Sequence, residues 1–267
     1  MKFREWLVDI IAFITDFGND DWYVGSMKGI ALGINPKVKL VDITHSIPAG
    51  DVHAGAFALL SSFWSFPKRT VFVVVVDPKV GSARKALVAR VDEYYFVGPD
   101  NGVLSLVFRQ GKTVEVRALK EKRYALPYIS TTFHGRDIFA PAAAYLTKER
   151  SLSACGPPYP NYIRLRWPEP SVYPDRIRGE VVYIDHFGNA ITSIDAFSIE
   201  KLQTSTKEAK CTGCEAMPIR THYEEVEEGK PLALIGSSGF LEISVNRRSA
   251  ASTLGISVGD VVEVFSR

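Results

Sequence analysis

The run Val71-Phe-Val-Val-Val-Val76 constrains this chain more than any other segment. β-Branched side chains favour extended backbone, and this run has no polar alternation. A strand with one wet face alternates. One without alternation is buried on both faces, as in a parallel sheet covered by helices. The flanking segments fit. Ile10 to Thr15 is an apolar run ending at Asp16 and Gly18. Trp22 to Ile34 reads as a helix stopped by Asn35-Pro36, and Lys39 to Thr44 as a strand. Asp51 suits the N-cap of a helix running to Phe66, before Pro67. Tyr94 to Val97 reads as a strand followed by the turn Gly98-Pro-Asp-Asn-Gly102, and Asp137 to Leu146 as a helix. Strands alternating with helices predict an α/β domain with a mainly parallel sheet over residues 1–156.

Prolines 157, 158, 160, 168, 170 and 174 then crowd one stretch. Such density sustains neither a helix nor a central strand, so residues 157–176 are predicted to be an extended linker. Beyond it the pattern changes to short strands between turns: Glu180–Asp185, Ala190–Ile194, Pro231–Gly236, Leu241–Val245 and Asp260–Phe265. This predicts a smaller all-β, barrel-like domain over residues 177–267.

At about 150 residues per domain, a chain of 267 residues accommodates both. The balance of 32 basic and 30 acidic side chains, net +2, argues against nucleic acid or an anionic membrane as partner. No apolar run approaches the roughly 18 residues of a membrane span. Asp9 and Asp16 interrupt the N-terminal stretch MKFREWLVDIIAFITDFG, which reads as the first strand and not as a signal peptide, so a cytoplasmic protein is expected. Three cysteines, Cys155, Cys211 and Cys214, do not make a secreted disulfide framework. The lone Cys211-x-x-Cys214 reads as a surface turn first and a local disulfide second, because a structural zinc needs four ligands. No metal site and no cofactor are expected.

Ligands of open α/β sheets bind beyond the carboxyl ends of the strands. Here four predicted strands end at Asp16, His45, Asp77 and Asp100. An Asp after a strand is also a turn former, but together the four suggest one polar crevice. Asp77 leaves a buried strand and needs a charge partner. Arg84, seven residues on across a glycine-containing loop, can return to it. Spacing alone leaves open whether that pair braces the loop or acts on a ligand. His134, just before a helix in Phe133-His-Gly-Arg-Asp137, caps, packs or carries protons. Phosphate-loop, Gly-x-Gly-x-x-Gly, Gly-x-Ser-x-Gly and His-Glu-x-x-His motifs do not occur.

An ordered set of motifs completes the reading. They are Thr15-Asp-Phe-Gly18 with Asp21 and Tyr23 to Gly29, Asp42-Ile-Thr-His-Ser46, Asp77 to Arg84, Gly98 to Gly102, Phe133 to Asp137, Asp185-His-Phe-Gly-Asn189, and Ser237-Ser-Gly239 through Asn246 to Ala251. In that order they resemble the S-adenosyl-L-methionine (SAM) hydroxide adenosyltransferases, the adenosyl-forming SAM hydrolases related to fluorinase and chlorinase. The resemblance implies an α/β domain followed by a small β-barrel. It also implies homotrimers holding SAM between the N-domain of one subunit and the C-domain of its neighbour, and the reaction of SAM with water to adenosine and L-methionine. By position, Asp77, Arg84 and His134 resemble the triad that holds the attacking water, and Asp16 the carboxylate that grips the ribose hydroxyls. Asp21, Asp185 and Ser237, with Ser238 beside them, match positions at the methionine amino and carboxylate ends. Asn189 and the segment from Asn246 through Ala250 to Ala251 match positions facing adenine, and Phe133 one near the sugar. The halogenases carry Tyr at the position of Asp77, and fluorinase Ser at that of Gly135, which points to water as nucleophile. Lys79 stands where the hydrolases usually have Gly, and Lys201 to Glu228 match nothing in the family pattern. A halide-using adenosyl transferase and a non-catalytic nucleoside-binding protein are the alternatives; the carboxylate of Asp77 disfavours the first, and retention of all three triad positions the second.

Overall fold

The computed structural model describes residues 9–120, 122–202 and 207–266, divided into two compact units, Met1–Leu165 and Arg166–Arg267. Residues 1–8, read above as part of the first strand, lie outside the described residues.

The first unit runs β1 (Ile10–Thr15), α1 (Tyr23–Ile34), β2 (Lys39–Thr44), α2 (Val52–Ser62), β3 (Val71–Val75), β4 (Ala86–Val91), β5 (Tyr94–Pro99), α3 (Ser105–Phe108), β6 (Val114–Ala118) and α4 (Ala140–Glu149). The strands form one sheet in the order β2-β1-β3-β5-β4-β6. β3 is buried along its whole length, as its composition requires. Val71, Val73 and Val75 face α1 and α4, packing with Met27, Ala31, Phe139 and Ala143. On the other face Phe72 stacks on Phe96 at 5.3 Å. Asp51 caps α2 by accepting from the Ala54 amide at 2.9 Å.

The sheet is mixed where the sequence reading expects a mainly parallel one. β2, β1, β3 and β5 pair in parallel, but β4 is antiparallel to both β5 and β6. β4 and β6 carry Arg90, Glu115 and Arg117 among apolar residues. β6 at the sheet edge shows the alternation of a half-wet strand, and β4 beside it breaks its apolar run with Arg90, unlike β3.

The second unit contains β7 (Ser171–Val172), β8 (Arg176–Ile184), β9 (Ala190–Asp195), α5 (Ala196–Glu200), β10 (Lys207–Cys211), β11 (Met217–Arg220), β12 (Pro231–Ile235), β13 (Phe240–Val245), α6 (Ala250–Leu254) and β14 (Val261–Ser266). The order β14-β10-β11-β12-β13-β9-β8 closes through pairing of β14 with β8, giving a seven-stranded barrel with β7 outside it. Ile177, Val181, Ile194, Leu241, Ile243 and Val264 fill its interior. Cys211 ends β10 in that core and is not on a surface turn, and burial pushes its thiol up to about 12. All three cysteines are free.

Phe72 is fully buried and central to one face of the sheet. Phe72→Ala is therefore expected to cost about 3–5 kcal/mol, measured as a lowered urea midpoint at unchanged denaturant slope. A loss below about 1 kcal/mol would mean that the core collapses around the gap.

Candidate active site

β1 leads through α1 to β2 on one side, and the chain then returns to place β3 on the other side of β1. The strand order therefore reverses between β1 and β3, where open α/β sheets bind ligands. Register makes the crevice. Thr15 pairs with Val75, so the residues just beyond, Asp16 and Asp77, leave neighbouring strand ends on the same edge. Both line a cleft of about 320 Å³ together with Phe133 and His134. Phe17 and Tyr23 form a further wall. Among the described residues no lysine or arginine lines it.

Behind the cleft lies the Arg84 guanidinium, its side chain 7% exposed and that of Asp77 3%. Nε donates to Asp77 Oδ1 at 2.9 Å, and Nη2 donates to Asp77 Oδ2. The same Nη2 donates to His134 Nδ1 at 2.7 Å. Guanidinium has no acceptor, so Nδ1 must accept, and the neutral imidazole carries its hydrogen on Nε2. The Phe139 ring closes the remaining side, 5.2 Å from the guanidinium carbon. His134 and Phe139 reach one arginine because Gly135–Phe139 is a π-turn, closed by the Ala140 amide bonding to the Gly135 carbonyl. The loop between Asp77 and Arg84 rests on the segment before His134. Gly81 has φ +79°, and a Cβ there would stand 2.2 Å from the Thr131 carbonyl oxygen, so only glycine fits.

Burial lowers the pKa of His134 below the ordinary histidine value, and the Arg84 charge adds to this; Asp77 and Asp137 oppose it without reversing it. Asp16 is held by the Gly50 amide, which donates to Oδ2 at 2.8 Å. The turn after β1 is braced by His45, which shares a 2.8 Å hydrogen bond with Thr15 and whose carbonyl accepts from the Gly18 amide at 2.9 Å. His45 is thus buried beneath the crevice. Asp100 is buried too, accepting from the Ile163 amide at 2.8 Å. Of the polar strand ends, Asp16 and Asp77 reach the cleft and these two brace the fold. Asp21 is exposed outside the cleft lining.

The remaining predicted residues belong to the barrel. Asp185 shapes the turn between β8 and β9: Oδ1 accepts from the Phe187 and Asn189 amides at 2.9 and 2.8 Å, and Oδ2 from Asn189 Nδ2 at 3.0 Å. Gly188 is pressed against Ser249, the N-cap of α6, and its carbonyl accepts from Ala251 at 2.9 Å. This brings Asn189 close to Ala250. A hollow of about 430 Å³ opens beside them, lined by Phe187, Asn189, Tyr223, Arg247, Arg248 and Ser249. Asn246 is buried, its amide donating to the Val226 carbonyl at 2.7 Å. Ser237 and Ser238 occupy the turn between β12 and β13, outside that lining. Tyr223 lies in the segment that matched no motif. Its hydroxyl donates to Glu242 Oε1 at 2.6 Å, and burial pushes the Glu242 carboxyl up. Phe17 and Tyr23 stood inside matched motifs without a role; only the fold sets them beside Phe133. Among the described residues no group of three or more His, Cys, Asp or Glu is placed to hold a metal ion, and no helix is long and apolar enough to cross a membrane.

Comparison with known proteins places the whole chain. The family profile of the SAM hydroxide adenosyltransferase N-terminal domain matches residues 11–156, and that of its C-terminal domain residues 179–263. The chain is 37% identical to the (R)-S-adenosyl-L-methionine hydrolase of Thermus thermophilus, covering 96% of this chain and 99% of that one. A fluorinase of an Actinoplanes species is more distant, 26% identical over 96% of this chain and 97% of the other. A crystal structure of a conserved protein from Thermotoga maritima superposes with a TM-score of 0.91 at 35% identity, covering 96% of this chain and 100% of that one.

The His134 geometry makes a spectroscopic prediction. Its imidazole should titrate below the ordinary histidine value in a histidine NMR experiment, and Arg84→Gln should move that titration upward, because the neighbouring positive charge is gone. An unchanged or lowered value in the variant would contradict the hydrogen bond to Nδ1.

Proposed function

The chain belongs to the SAM hydroxide adenosyltransferase family, and we propose that it hydrolyses SAM to adenosine and L-methionine. The observation that carries this reading is the hydrogen-bonded set Asp77, Arg84 and His134 beside the carboxylate of Asp16, at the switch point of the sheet.

In this reading Asp16 holds the ribose and so presents its 5′ carbon to the side of the cleft formed by Asp77 and His134. A water there donates to the Asp77 carboxylate and accepts from the Nε2 hydrogen of His134. It attacks the 5′ carbon in line with the carbon–sulfur bond. The bonding pair passes to sulfur, the sulfonium becomes a neutral thioether, and the water proton leaves through Asp77 to solvent. A thioether needs no protonation to depart, so no general acid, metal or cofactor is called for. Arg84 acts from behind: it fixes the rotamers of Asp77 and His134 and keeps the imidazole in its donor tautomer. A fixed water removes an entropic cost, and transfer to a positioned base typically contributes ~100- to 10,000-fold. The carboxylate of Asp77 would repel a halide, which favours water over the fluorinase-type nucleophile.

The same reading includes a homotrimer in which the N-terminal unit of one subunit works with the barrel of its neighbour, Asp185, Ser237 and Ser238 holding methionine and Asn189, Asn246 and Ala250 facing adenine. The restriction of the water-holding set to the first unit supports it. Free thiols throughout suit a reducing compartment such as the cytoplasm.

The direct test is SAM incubated with the pure protein in chloride-free buffer containing a chelator. Adenosine and methionine should form in equal amounts, with the (R)-sulfonium consumed as the relatives' name suggests; no turnover, or turnover only with metal or halide, refutes the proposal. Asp77→Asn should lower kcat by ~100-fold or more while SAM still binds, whereas Asp16→Ala should mainly raise KM. If Asp77→Asn loses binding at unchanged kcat, Asp77 only braces the loop. Mixing Asp77→Ala and Asn189→Ala proteins under subunit exchange should restore part of the activity, and no recovery would speak against sites shared between subunits.

A further inference from the structure

We propose that the aromatic wall of the N-terminal cleft, Phe17, Tyr23 and Phe133, selects a sulfonium cation over the neutral thioether of the same shape; this rests on the SAM reading above. Nothing in the motif pattern assigns Phe17 or Tyr23 a role.

The three rings line one cleft and form one cluster. Their centroids stand 5.7 Å (Phe17–Tyr23), 6.0 Å (Phe17–Phe133) and 5.1 Å (Tyr23–Phe133) apart. The planes are inclined to one another by 54°, 74° and 88°, so the rings do not stack face against face. The wall already holds one cation: the guanidinium carbon of Arg136 lies 5.0 Å from the Phe133 centroid. That occupies one face of Phe133; the Trp22 ring lies 5.2 Å from Tyr23 at 34° and covers part of that ring, which leaves Phe17 and the rest of Tyr23 to meet a ligand.

The charges around the cleft point the same way. The ionised groups lining it are the carboxylates of Asp16 and Asp77. Arg84 stands behind them, Nε and Nη2 donating to Asp77 and His134 and Nη1 to the Lys85 carbonyl at 3.4 Å. His134 is held neutral by burial. The like charge nearest the wall, that of Arg136 on Phe133, is paired with Asp137, its Nε donating to Oδ1 at 2.6 Å. Position follows from covalent structure. If Asp16 holds the ribose and the 5′ carbon meets water beside Asp77, the sulfur is one bond away on the opposite side, inside the same cleft.

A cation over an aromatic face is attracted by the ring quadrupole; a neutral thioether of the same shape is not. Asp77 is paired with Arg84, and Asp16, which accepts from the Gly50 amide, keeps its charge and adds to the same preference; the share carried by the rings is what ring variants read out. Because the positive charge at sulfur is partly discharged in the transition state, the rings favour binding of the substrate, and part of that attraction is given up in the chemical step. They also leave the neutral thioether less tightly held than the substrate, which favours its release.

The experiment uses the full chain in an Asp77→Asn background, so that SAM persists during calorimetry. Dissociation constants are measured for SAM and for S-adenosyl-L-homocysteine, its neutral thioether counterpart. Tyr23→Leu and Phe17→Leu should each reduce the preference for SAM over the thioether by about 5- to 30-fold, and Tyr23→Phe should retain it. Equal weakening of both ligands, or an unchanged preference, would overturn the proposal. If a leucine variant fails to fold, phenylalanines bearing one to three ring fluorines at position 23 keep the shape while draining the ring face of charge. A stepwise loss of SAM affinity with a constant thioether affinity supports the proposal, and a flat series overturns it. A wild-type protein that neither binds nor hydrolyses SAM sinks the functional reading and this inference with it; one that hydrolyses SAM without the ring dependence sinks the inference alone.

Discussion

A guanidinium removed from water must find partners for its charge and its hydrogens. Around Arg84 the fold supplies three, one from the start of its own loop and two from the segment before α4. Asp77 comes from the end of the most buried strand and takes two of its hydrogen bonds. His134 takes a third, and the Phe139 ring closes the remaining side. Removing one partner would leave a buried charge uncompensated, so the cluster settles how the β3 loop and the start of α4 lie against each other. Cleft geometry follows: Asp77 and His134 face the ligand space because Arg84 draws both from the same side.

Two backbone features make that convergence possible. In an α-helix, positions five apart point well away from each other. The π-turn at Gly135–Phe139 brings His134 and Phe139 to the same guanidinium. The price is one widened turn inside an otherwise regular helix, a feature often found at functional sites. On the other side, Gly81 lets its loop lie against the Thr131 carbonyl, closer than any side chain would permit. Neither feature adds stability in itself. Both are local departures held in place by the burial of β3 and α4 around them.

Much of this could be read from the sequence, for a physical reason. Val71 to Val76 can only be a fully buried strand, and a buried strand ending in Asp77 at a glycine-containing loop directs attention to Arg84. Short strands interrupted by charged residues carry no such signal. Ala86–Val91 and Val114–Ala118 look like loops with apolar residues until their neighbours are known, and they are what makes the sheet mixed. Polar residues at strand ends are ambiguous for a similar reason. Asp16 and His45 both follow apolar runs, but only register shows that Asp16 faces the cleft while His45 lies under Thr15. The π-turn had no sequence mark either, because Gly-Arg-Asp-Ile-Phe also suits an α-helix. Tyr23 illustrates the limit of motifs: it sits within one, yet its role depends on rings 6 residues before and 110 after it in the chain.

The electrostatics of the cleft impose a tension that the arrangement resolves by division of labour. A site that attracts a cation stabilises the ground state of a reaction in which that cation is discharged, and such attraction by itself slows chemistry. Carboxylates placed directly at the sulfur would carry this penalty in full. In the first unit the carboxylates are instead committed: Asp77 to Arg84, Asp16 to the Gly50 amide. The polarisable aromatic surface is left to meet the positive charge. Ring–cation attraction is weaker than an unscreened ion pair in a dry site, so less of it must be given up as the carbon–sulfur bond breaks. Meanwhile Asp77 retains enough negative character to orient a water, and the neutral His134 donates without adding a positive charge that would repel the substrate. The depressed basicity of His134 is thus part of the same solution: an imidazolium here would break its bond to Arg84 and oppose entry of the cation.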